Sequence, residues 1–287
     1  MIRLLRPHQY VKNLFVFLPV FFALQIFELG HLVEATVAFL CFSAVASAHY
    51  VFNDYMDREE DRKHPTKKNR PLAAGTVRPG LALSVAAVLF CGATLAAWLF
   101  SYRLGLLLLF YLLLNVAYSV KLKHLAVLDV MTIAFGFVLR LMAGSVVTGI
   151  PLSPWIVVIT FLLALFLALA KRRDDVLIFI EKGERTRPVI DGYNLEFLNA
   201  AMVLGASITI VGYIMYTLSP AVVDRLGSDR LYLTVFFVIG GIMRYLQITF
   251  VEKRSGSPTE ILLKDGMIQL SLAGWILTFA ALIYMHL

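Results

Sequence analysis

Long apolar runs recur along the chain and are separated by short polar segments. Most are close to the roughly 20 residues that a helix needs to cross the hydrocarbon core of a bilayer. None shows the strict alternation of apolar and polar residues that is typical of a membrane β-barrel. The pattern predicts an all-α integral membrane protein with about nine transmembrane helices, near 14–28, 32–52, 81–101, 104–120, 125–148, 154–170, 195–217, 231–250 and 266–287.

The composition agrees with this interpretation. Of the 287 residues, 60% are hydrophobic and 16% are charged, whereas about a quarter of the residues in soluble domains are charged. Mean hydropathy is +0.79. These values exclude a disordered protein and argue against a soluble globular domain. We expect a single transmembrane domain over residues 1–287, without a disulfide framework, because Cys41 and Cys91 both lie in apolar runs.

The basic residues are distributed unevenly between the two ends of the predicted helices. Of the 26 Lys and Arg residues, 22 lie in the N-terminal segment and in every second loop, and only three lie in the alternate loops. The positive-inside rule then predicts a multi-pass protein of the cytoplasmic membrane, with a cytoplasmic N-terminus. Because the positive charge follows this topology, it does not indicate a nucleic-acid partner.

An acidic cluster follows the second predicted span. The residues Asn53, Asp54, Asp57 and Asp61 form the pattern N-D-x-x-D-x-x-x-D. Positions 53, 57 and 61 are four residues apart, so a continuous helix would place them on one face. Their oxygens suit Mg²⁺, which commonly takes its other ligands from substrate phosphates. The alternative is a solvated helix end whose acids form salt bridges with the neighbouring bases, Arg58, Arg62 and Lys63.

Basic residues come directly after these acids, in the segment H-P-T-K-K-N-R-P-L-A-A-G from His64 to Gly75. The acidic pattern followed by R-P-L-A-A-G resembles the first signature of the UbiA superfamily of intramembrane prenyltransferases. The resemblance covers essentially the whole chain. It implies nine helices around a cytoplasm-facing polar cavity, with the active site on the cytoplasmic side, and the cleavage of a diphosphate bound to Mg²⁺.

One segment departs from the general pattern of that superfamily. A second acidic motif, which implies a second Mg²⁺, is expected after the sixth span, where this chain reads K-R-R-D-D from Lys171 to Asp175. Lys171 and Arg173 stand where acids are expected. The number of magnesium ions is therefore open, and the basic residues favour a ligand with additional phosphate charge.

Several further segments resemble one branch of the superfamily, the decaprenyl-phosphate phosphoribosyltransferases. The resemblance implies transfer of a 5-phosphoribosyl group from phosphoribosyl diphosphate to a polyprenyl phosphate, with release of diphosphate. The length of the lipid chain stays open, and so does the oligomeric state, a homo-oligomer included. The segments that carry the resemblance are 6–13, 61–71, 122–129, 140–144 and 258–265.

The resemblance and the residue chemistry together suggest roles for individual side chains. Asn53, Asp54, Asp57 and Asp61 are expected to hold Mg²⁺, so that Asp54 and Asp57 take part in catalysis through the metal. The substrate-binding candidates are His64 and Arg70 near the diphosphate, Tyr118 and Lys123 at the mouth of the cavity, and Lys12, Lys171 and Arg172 at the other phosphates.

Two charged residues fall inside the fifth predicted span. Asp129 and Arg140 are 11 residues apart, close to three helical turns, so their side chains point the same way. Charged groups within a span usually face a cavity or one another. They are therefore either catalytic groups that line the polar cavity or a structural ion pair. His49, one turn before Asn53, is expected to be a packed helix histidine, although it could reach the acidic cluster.

Two other functions compete with the phosphoribosyl transfer. The first is a UbiA-type transfer of a prenyl group to an aromatic or haem acceptor, which the basic segment from Lys171 to Arg173 disfavours. The second is transport of an anionic lipid. Transporters often contain internal repeats around a site at the bilayer midplane. The sequence shows no convincing repeat, and its acidic cluster lies at the end of a span, which favours an enzyme.

Overall fold

The computed structural model describes residues 2–63, 67–183, 188–254 and 257–284. Within these residues every regular element is a helix, which confirms the predicted all-α class. The chain forms two compact units, Met1–Leu152 and Ser153–Leu287, and each is described by itself.

The first unit contains four long helices and three short ones. A 3₁₀ helix, Pro7–Phe17, joins the first two short helices. Two further 3₁₀ turns, Lys67–Asn69 and Leu122–His124, lie in the loops after the fourth and the sixth α-helix of the chain. The α-helices are α1 (Ile2–Leu5), α2 (Leu18–Phe22), α3 (Leu29–Met56), α4 (Arg58–Lys63), α5 (Pro79–Phe100), α6 (Tyr102–Val120) and α7 (Leu128–Thr148).

The core of this unit forms around α3, which packs against α5, α6, α7 and the 3₁₀ helix Pro7–Phe17. Phe42, Leu108 and Leu139 are buried at its centre. The 3₁₀ helix approaches α7 closely at Gly144, where a Cβ atom would lie 1.9 Å from the carbonyl oxygen of Val16. This contact fixes the N-terminal segment against the helix that carries Arg140.

The second unit has six α-helices and two 3₁₀ turns, Pro188–Gly192 and Leu231–Thr234. Side chains cap two of the long helices at their N-termini: Ser153 accepts from the amide of Trp155, and Asn194 accepts from the amide of Phe197. The α-helices are α8 (Pro154–Lys182), α9 (Leu195–Leu218), α10 (Pro220–Leu226), α11 (Val235–Phe250), α12 (Pro258–Lys264) and α13 (Gly266–Tyr284).

Eight helices among the described residues are long and apolar enough to cross a membrane, close to the predicted nine. The difference is the first predicted span, 14–28, which consists of the end of the 3₁₀ helix, the five-residue α2 and a turn. Pro19 lacks an amide hydrogen, and Leu24 has a positive φ of 60°, so a long regular helix does not form there.

Candidate functional site

Two acids of the predicted cluster are buried, and two partly exposed guanidinium groups contact them. Asp54 and Asp61 expose only 2% and 3% of their surface. Arg70 Nη1 donates to both, at 3.0 Å to Asp54 Oδ1 and at 2.7 Å to Asp61 Oδ2. Arg6 Nη2 donates to the same Asp54 oxygen at 2.5 Å. The opposite charges compensate one another, which makes the burial of two carboxylates possible.

The other half of the cluster lies against α6 and the turn that follows it. Asn53 donates through Nδ2 to Asp57 Oδ2 at 2.9 Å and accepts from Ser119 Oγ at 3.0 Å. Lys123 Nζ donates to Asp57 Oδ1 at 2.5 Å. Lys123, predicted at the mouth of the cavity, is therefore a direct partner of a predicted metal ligand.

The prediction of one continuous helix through positions 53, 57 and 61 holds only in part. Helix α3 ends at Met56 and α4 begins at Arg58. The amides of Asp57 and Asp61 still donate to the carbonyl oxygens of the residues four positions before them, at 2.9 Å and 2.8 Å. The side chain of Asp57 contacts Lys123, whereas Asp61 shares Arg70 with Asp54.

Among the described residues, two of the neighbouring bases do not contact the cluster as the alternative interpretation required, and the side chain of the third, Lys63, lies outside that description. Arg58 and Arg62 both contact the carboxylate of Glu59, at 3.4 Å and 2.9 Å. The partners of the cluster come instead from distant parts of the chain. Arg6 was missed as a site residue by the sequence reasoning, although its segment carried part of the resemblance.

The donor atoms of the cluster fit a magnesium ion. They are carboxylate and amide oxygens, which Mg²⁺ prefers. Among the described residues no three His, Cys, Asp or Glu side chains are close enough to hold a metal together. Mg²⁺ does not require three, because it is usually bound by one or two carboxylates, by water and by substrate phosphates. The ligand set Asn53, Asp54, Asp57 and Asp61 stays a prediction.

Lys12 lies in the 3₁₀ helix that directly follows Arg6, and it has no acidic partner among the described residues. Burial and the nearby guanidinium groups of Arg140 and Arg6 lower the pKa of Lys12 from 10.5 to about 8. A bound anion would stabilise the charged form of a partly buried ammonium group that lies near two other cations. The phosphate contact of Lys12 stays a prediction.

Arg140 is buried in α7, with 5% of its surface exposed, and its three hydrogen bonds to described residues go to neutral acceptors. Its Nε donates to Asn13 Oδ1 at 2.7 Å, Nη1 to the carbonyl oxygen of Gly136 at 2.7 Å, and Nη2 to Tyr111 Oη at 3.2 Å. Asp129 is fully buried in the first turn of the same helix. A rise of about 1.5 Å per residue separates the two by about 16 Å, which excludes a direct ion pair.

The remaining candidates of the first unit lie in the segments around the cluster. Tyr118 is half-buried near the C-terminal end of α6, next to Ser119, which contacts Asn53. His64 lies outside the described residues.

Comparison with known proteins identifies the family. The model of the UbiA prenyltransferase family matches residues 14–273, which is most of the chain. This protein belongs to the UbiA prenyltransferase family. The prediction of a membrane-bound transferase is thereby confirmed at the level of the family.

The relatives of this UbiA family member include two decaprenyl-phosphate phosphoribosyltransferases. The one from Mycolicibacterium smegmatis is 31% identical, over 99% of this chain and 92% of the relative. The one from Mycobacterium tuberculosis is 32% identical, over 98% of this chain and 93% of the relative. A UbiA homologue from Archaeoglobus fulgidus, solved with DMAPP and Mg²⁺, has the same fold, with a TM-score of 0.72, 21% identity and coverage of 97% and 98% of the two chains.

The second unit of this UbiA family member contains the basic segment that departs from the family pattern. The predicted span 154–170 continues as α8 to Lys182, so this segment is helical. Arg172 exposes 2% of its surface, and its Nη1 donates to Asp175 Oδ2 at 3.2 Å. Lys171 is half-buried. The proposed phosphate contacts of Lys171 and Arg172 stay predictions.

Arg173 connects three helices of the second unit. It is buried on α8, and its Nε donates to Asn199 Oδ1 of α9 at 2.7 Å. Its Nη1 donates at 2.7 Å to the carbonyl oxygen of Thr249, in the last turn of α11. The guanidinium group also lies 5.0 Å from the ring centroid of Phe250. Where the family pattern has an acid, this chain has Arg173, whose hydrogen bonds link α8 to α9 and α11.

Replacement of Arg173 by methionine should therefore destabilise the protein. The side-chain oxygen of Asn199 and the carbonyl of Thr249 would lose their donor, at a cost of about 2 kcal/mol in the free energy of unfolding. Thermal unfolding in detergent measures the effect. The matched control is Arg230→Met, because Arg230 is exposed. Equal melting temperatures for the two variants would contradict this role.

Proposed function

We propose that this protein transfers the 5-phosphoribosyl group of phosphoribosyl diphosphate to a polyprenyl phosphate and releases diphosphate. The observation that carries the proposal is the near full-length similarity, at 31% and 32% identity, to decaprenyl-phosphate phosphoribosyltransferases. A decaprenyl-type phosphate is the expected acceptor. Membrane insertion, shown by the apolar helices, suits a lipid acceptor.

The carboxylate cluster, Asn53, Asp54, Asp57 and Asp61, would hold Mg²⁺ at the leaving diphosphate. The metal supplies Lewis-acid stabilisation of the negative charge that develops on the leaving group. Two observations support this assignment: the donor set consists of oxygens, and a homologue of the same fold was solved with DMAPP and Mg²⁺. The proposed protein ligands are already oriented by hydrogen bonds from Ser119 and Lys123.

The cations around the cluster would bind the phosphate oxygens of the substrates. Arg6 and Arg70 lie within hydrogen-bond distance of Asp54, and therefore close to a diphosphate whose metal is bound there. Arginine suits this role because its guanidinium group can donate two parallel hydrogen bonds to phosphate. We assign the same role to Lys123 and to His64 in the adjoining segment. From the resemblance alone, and not from any position relative to the cluster, we assign Lys171 and Arg172 to the additional phosphates.

The reaction itself needs little proton transfer. The acceptor phosphate is largely ionised near neutral pH, so it can attack the anomeric carbon without a strong general base. The C1–O bond to diphosphate breaks while the new bond to the lipid phosphate oxygen forms. Positioning and electrostatic stabilisation then supply most of the rate. Asp129 and Tyr118 are proposed to bind the ribose hydroxyl groups or the lipid headgroup.

The topology suits both substrates. With a cytoplasmic N-terminus, as the positive-inside rule predicts, the C-terminal end of α3 and the following loop lie on the cytoplasmic side. The water-soluble sugar diphosphate would then enter from the cytoplasm. The polyprenyl chain would stay in the apolar phase of the cytoplasmic membrane.

Transfer of a prenyl group to another acceptor is the second candidate. The fold that this chain shares with the Archaeoglobus homologue bound to DMAPP and Mg²⁺ favours it. In that reaction the lipid carries the leaving diphosphate. The two proposals therefore differ in which substrate loses diphosphate, and a pair of assays separates them.

The test uses purified protein in detergent with polyprenyl phosphate, phosphoribosyl diphosphate and Mg²⁺. We expect release of diphosphate and a lipid heavier by one phosphoribosyl group, measured by mass spectrometry. Omission of the lipid and addition of a chelator are the controls. If diphosphate is released only from a prenyl diphosphate with an aromatic acceptor, the second candidate replaces the first.

The activity should depend on pH through Lys12. A bound phosphate stabilises the charged form of Lys12, so binding is strongest below its pKa of about 8 and weakens as the pH rises above that value. We expect the KM for the substrate that contacts Lys12 to rise above pH 8. In Lys12→Arg the charge persists, and the rise should disappear. An unchanged profile in that variant would show that Lys12 does not contact phosphate.

A further inference from the structure

Four basic side chains lie close together on the side of the carboxylate cluster that faces the interior of the first unit. Lys12 and His49 are each within electrostatic range of both Arg6 and Arg140, and His49 is also within range of Asp57. Of these four, and among the residues that the structure describes, only Arg6 makes a hydrogen bond to a carboxylate, that of Asp54. We call Lys12, His49 and Arg140 the basic pocket.

The depth of the basic pocket along α3 separates it from the carboxylate cluster. His49 lies one helical turn, about 6 Å, before Asn53. Arg140 is tied to Asn13, whose Nδ2 donates at 2.8 Å to the Oγ of Ser43, about 15 Å before Asn53 along the same helix. The basic pocket therefore extends one to three turns deeper into the helix bundle than the predicted metal ligands.

The surroundings of Arg140 hold its guanidinium group without neutralising it. Besides its three neutral hydrogen-bond acceptors, the group lies 4.8–5.4 Å from the ring centroids of Phe42, Tyr111 and Phe137. Aromatic faces stabilise a cation modestly. The rings orient the guanidinium group of Arg140. Its three hydrogen bonds use three of its five N–H groups, so two N–H groups remain for a ligand.

His49 supplies an independent observation. It exposes only 6% of its surface, and its Nδ1 is buried without a hydrogen-bond partner among the described residues. Buried polar atoms nearly always have a partner in a native structure, and one without a partner needs an explanation. The sequence predicted a packed helix histidine, and packing alone does not provide that explanation.

Positive charge that is buried without a counter-ion is unfavourable in an apolar bundle. We propose that the basic pocket binds a phosphate monoester, at a site separate from that of the diphosphate. The Lys12 ammonium and the Arg140 guanidinium groups neutralise the phosphate, and His49 makes a hydrogen bond to it or to the hydroxyl group beside it. Asn13 and Tyr111 are positioning residues that orient Arg140.

This inference rests on the proposed function for its choice of ligand. Each proposed substrate carries one phosphate monoester: the 5-phosphate of the sugar and the headgroup of the lipid. The sugar also carries the diphosphate at C1, at the other side of the ring. Two anion sites at different depths along α3 suit such a donor, but the chemistry of the lipid phosphate is the same, and the experiment must distinguish the two sources.

The experiment measures binding by calorimetry in detergent, at pH 7 and without turnover. The probes are inorganic phosphate, ribose 5-phosphate, inorganic diphosphate with Mg²⁺, and a short-chain polyprenyl phosphate. The variants are Lys12→Met and His49→Leu, with Lys121→Met as the matched control because Lys121 is exposed. His49→Leu removes a buried unpaired atom, so its melting temperature should equal or exceed that of the wild type.

We expect Lys12→Met and His49→Leu to lower the affinity for ribose 5-phosphate about tenfold. The affinity for diphosphate with Mg²⁺ should stay within about twofold of the wild-type value. The same loss for polyprenyl phosphate, with ribose 5-phosphate unchanged, would assign the pocket to the lipid and still support a phosphate-monoester site. An equal loss of affinity for diphosphate would show that the basic pocket and the diphosphate site are one site, and would overturn the proposal. So would unchanged binding of all four probes.

Failure of the proposed function gives a different result. In that case the wild type does not transfer a phosphoribosyl group in the assay, whatever the variants bind. The affinity for inorganic phosphate then tests the phosphate site by itself, because this probe requires no assumption about the substrate. Equal phosphate affinities for wild type and Lys12→Met would exclude the site.

Discussion

Replacement of Asp54 by asparagine is expected to lower kcat/KM for diphosphate release about a thousandfold. Asp54 is the least exposed acid of the carboxylate cluster, and it contacts two guanidinium groups, those of Arg6 and Arg70. Asparagine keeps the size of the side chain but removes the charge. The variant therefore loses a proposed metal ligand and the electrostatic partner of both arginines in one step.

The measurement is the initial rate of diphosphate release with phosphoribosyl diphosphate and polyprenyl phosphate. The matched control is Glu60→Gln, because Glu60 is exposed on α4, and we expect its rate within about twofold of the wild type. Binding of Mn²⁺ in place of Mg²⁺, followed by electron paramagnetic resonance, gives a second readout. An Asp54→Asn enzyme that retains wild-type turnover and wild-type Mn²⁺ affinity would remove Asp54 from the site.

A structural role alone would give another pattern. The loss of two ion pairs should lower the melting temperature whether or not a metal binds. If Asp54 only balanced the charges of Arg6 and Arg70, Mn²⁺ affinity would be unchanged in the folded fraction. The metal-binding measurement thus separates the catalytic role from the structural one.

The transmembrane helices could be predicted because burial in lipid requires long, uniformly apolar segments. Seven of the nine predicted spans correspond to single long α-helices, and an eighth, 231–250, begins with a 3₁₀ turn before α11. The first span differs because Pro19 and the left-handed Leu24 interrupt it. Hydropathy alone does not distinguish a 3₁₀ helix followed by a short α-helix from a regular span.

The acids of the site could also be predicted, because their spacing and their resemblance to a family signature are local features of the sequence. Their partners could not. Arg6 is 48 residues from Asp54, and Lys123 is 66 residues from Asp57. Such contacts depend on how the helices pack. The nearby Arg58 and Arg62 were the obvious partners, but they contact Glu59.

The partners of Arg140, inside a span, could not be predicted from the sequence either. Its charge indicated a cavity or an ion pair, and its distance from Asp129 could be read from the helical rise alone. The observed partners, Asn13 and Tyr111, come from the N-terminal 3₁₀ helix and from α6. No periodicity in the sequence indicates that the N-terminal segment folds back against α7 at this depth.

The close contact between these two elements leads to the second large effect. In Gly144→Ala, the new Cβ atom would lie 1.9 Å from the carbonyl oxygen of Val16 and 3.2 Å from Cδ of Pro19. Neither neighbour is the flexible end of a side chain, so the backbone must move. We expect the free energy of unfolding to fall by about 3 kcal/mol or more.

Gly92→Ala is the matched control, because Gly92 lies within α5 and a Cβ atom there would have no neighbour within 4 Å. Alanine favours the helix, so this variant should be stabilised by about 0.5–1 kcal/mol. Thermal unfolding in detergent compares the two. Equal melting temperatures would contradict the close approach of Val16 to α7.

The effect of Gly144→Ala should also extend to ligand binding. Val16 lies in the same 3₁₀ helix as Lys12 and Asn13, so a displaced segment weakens the hydrogen bond from Arg140 to Asn13 and moves Lys12. In the folded fraction at low temperature, we expect weaker binding of ribose 5-phosphate, with Mn²⁺ affinity largely retained. Loss of both ligands together would show that the segment also positions Arg6 at the carboxylate cluster, because Arg6 immediately precedes this 3₁₀ helix and contacts Asp54.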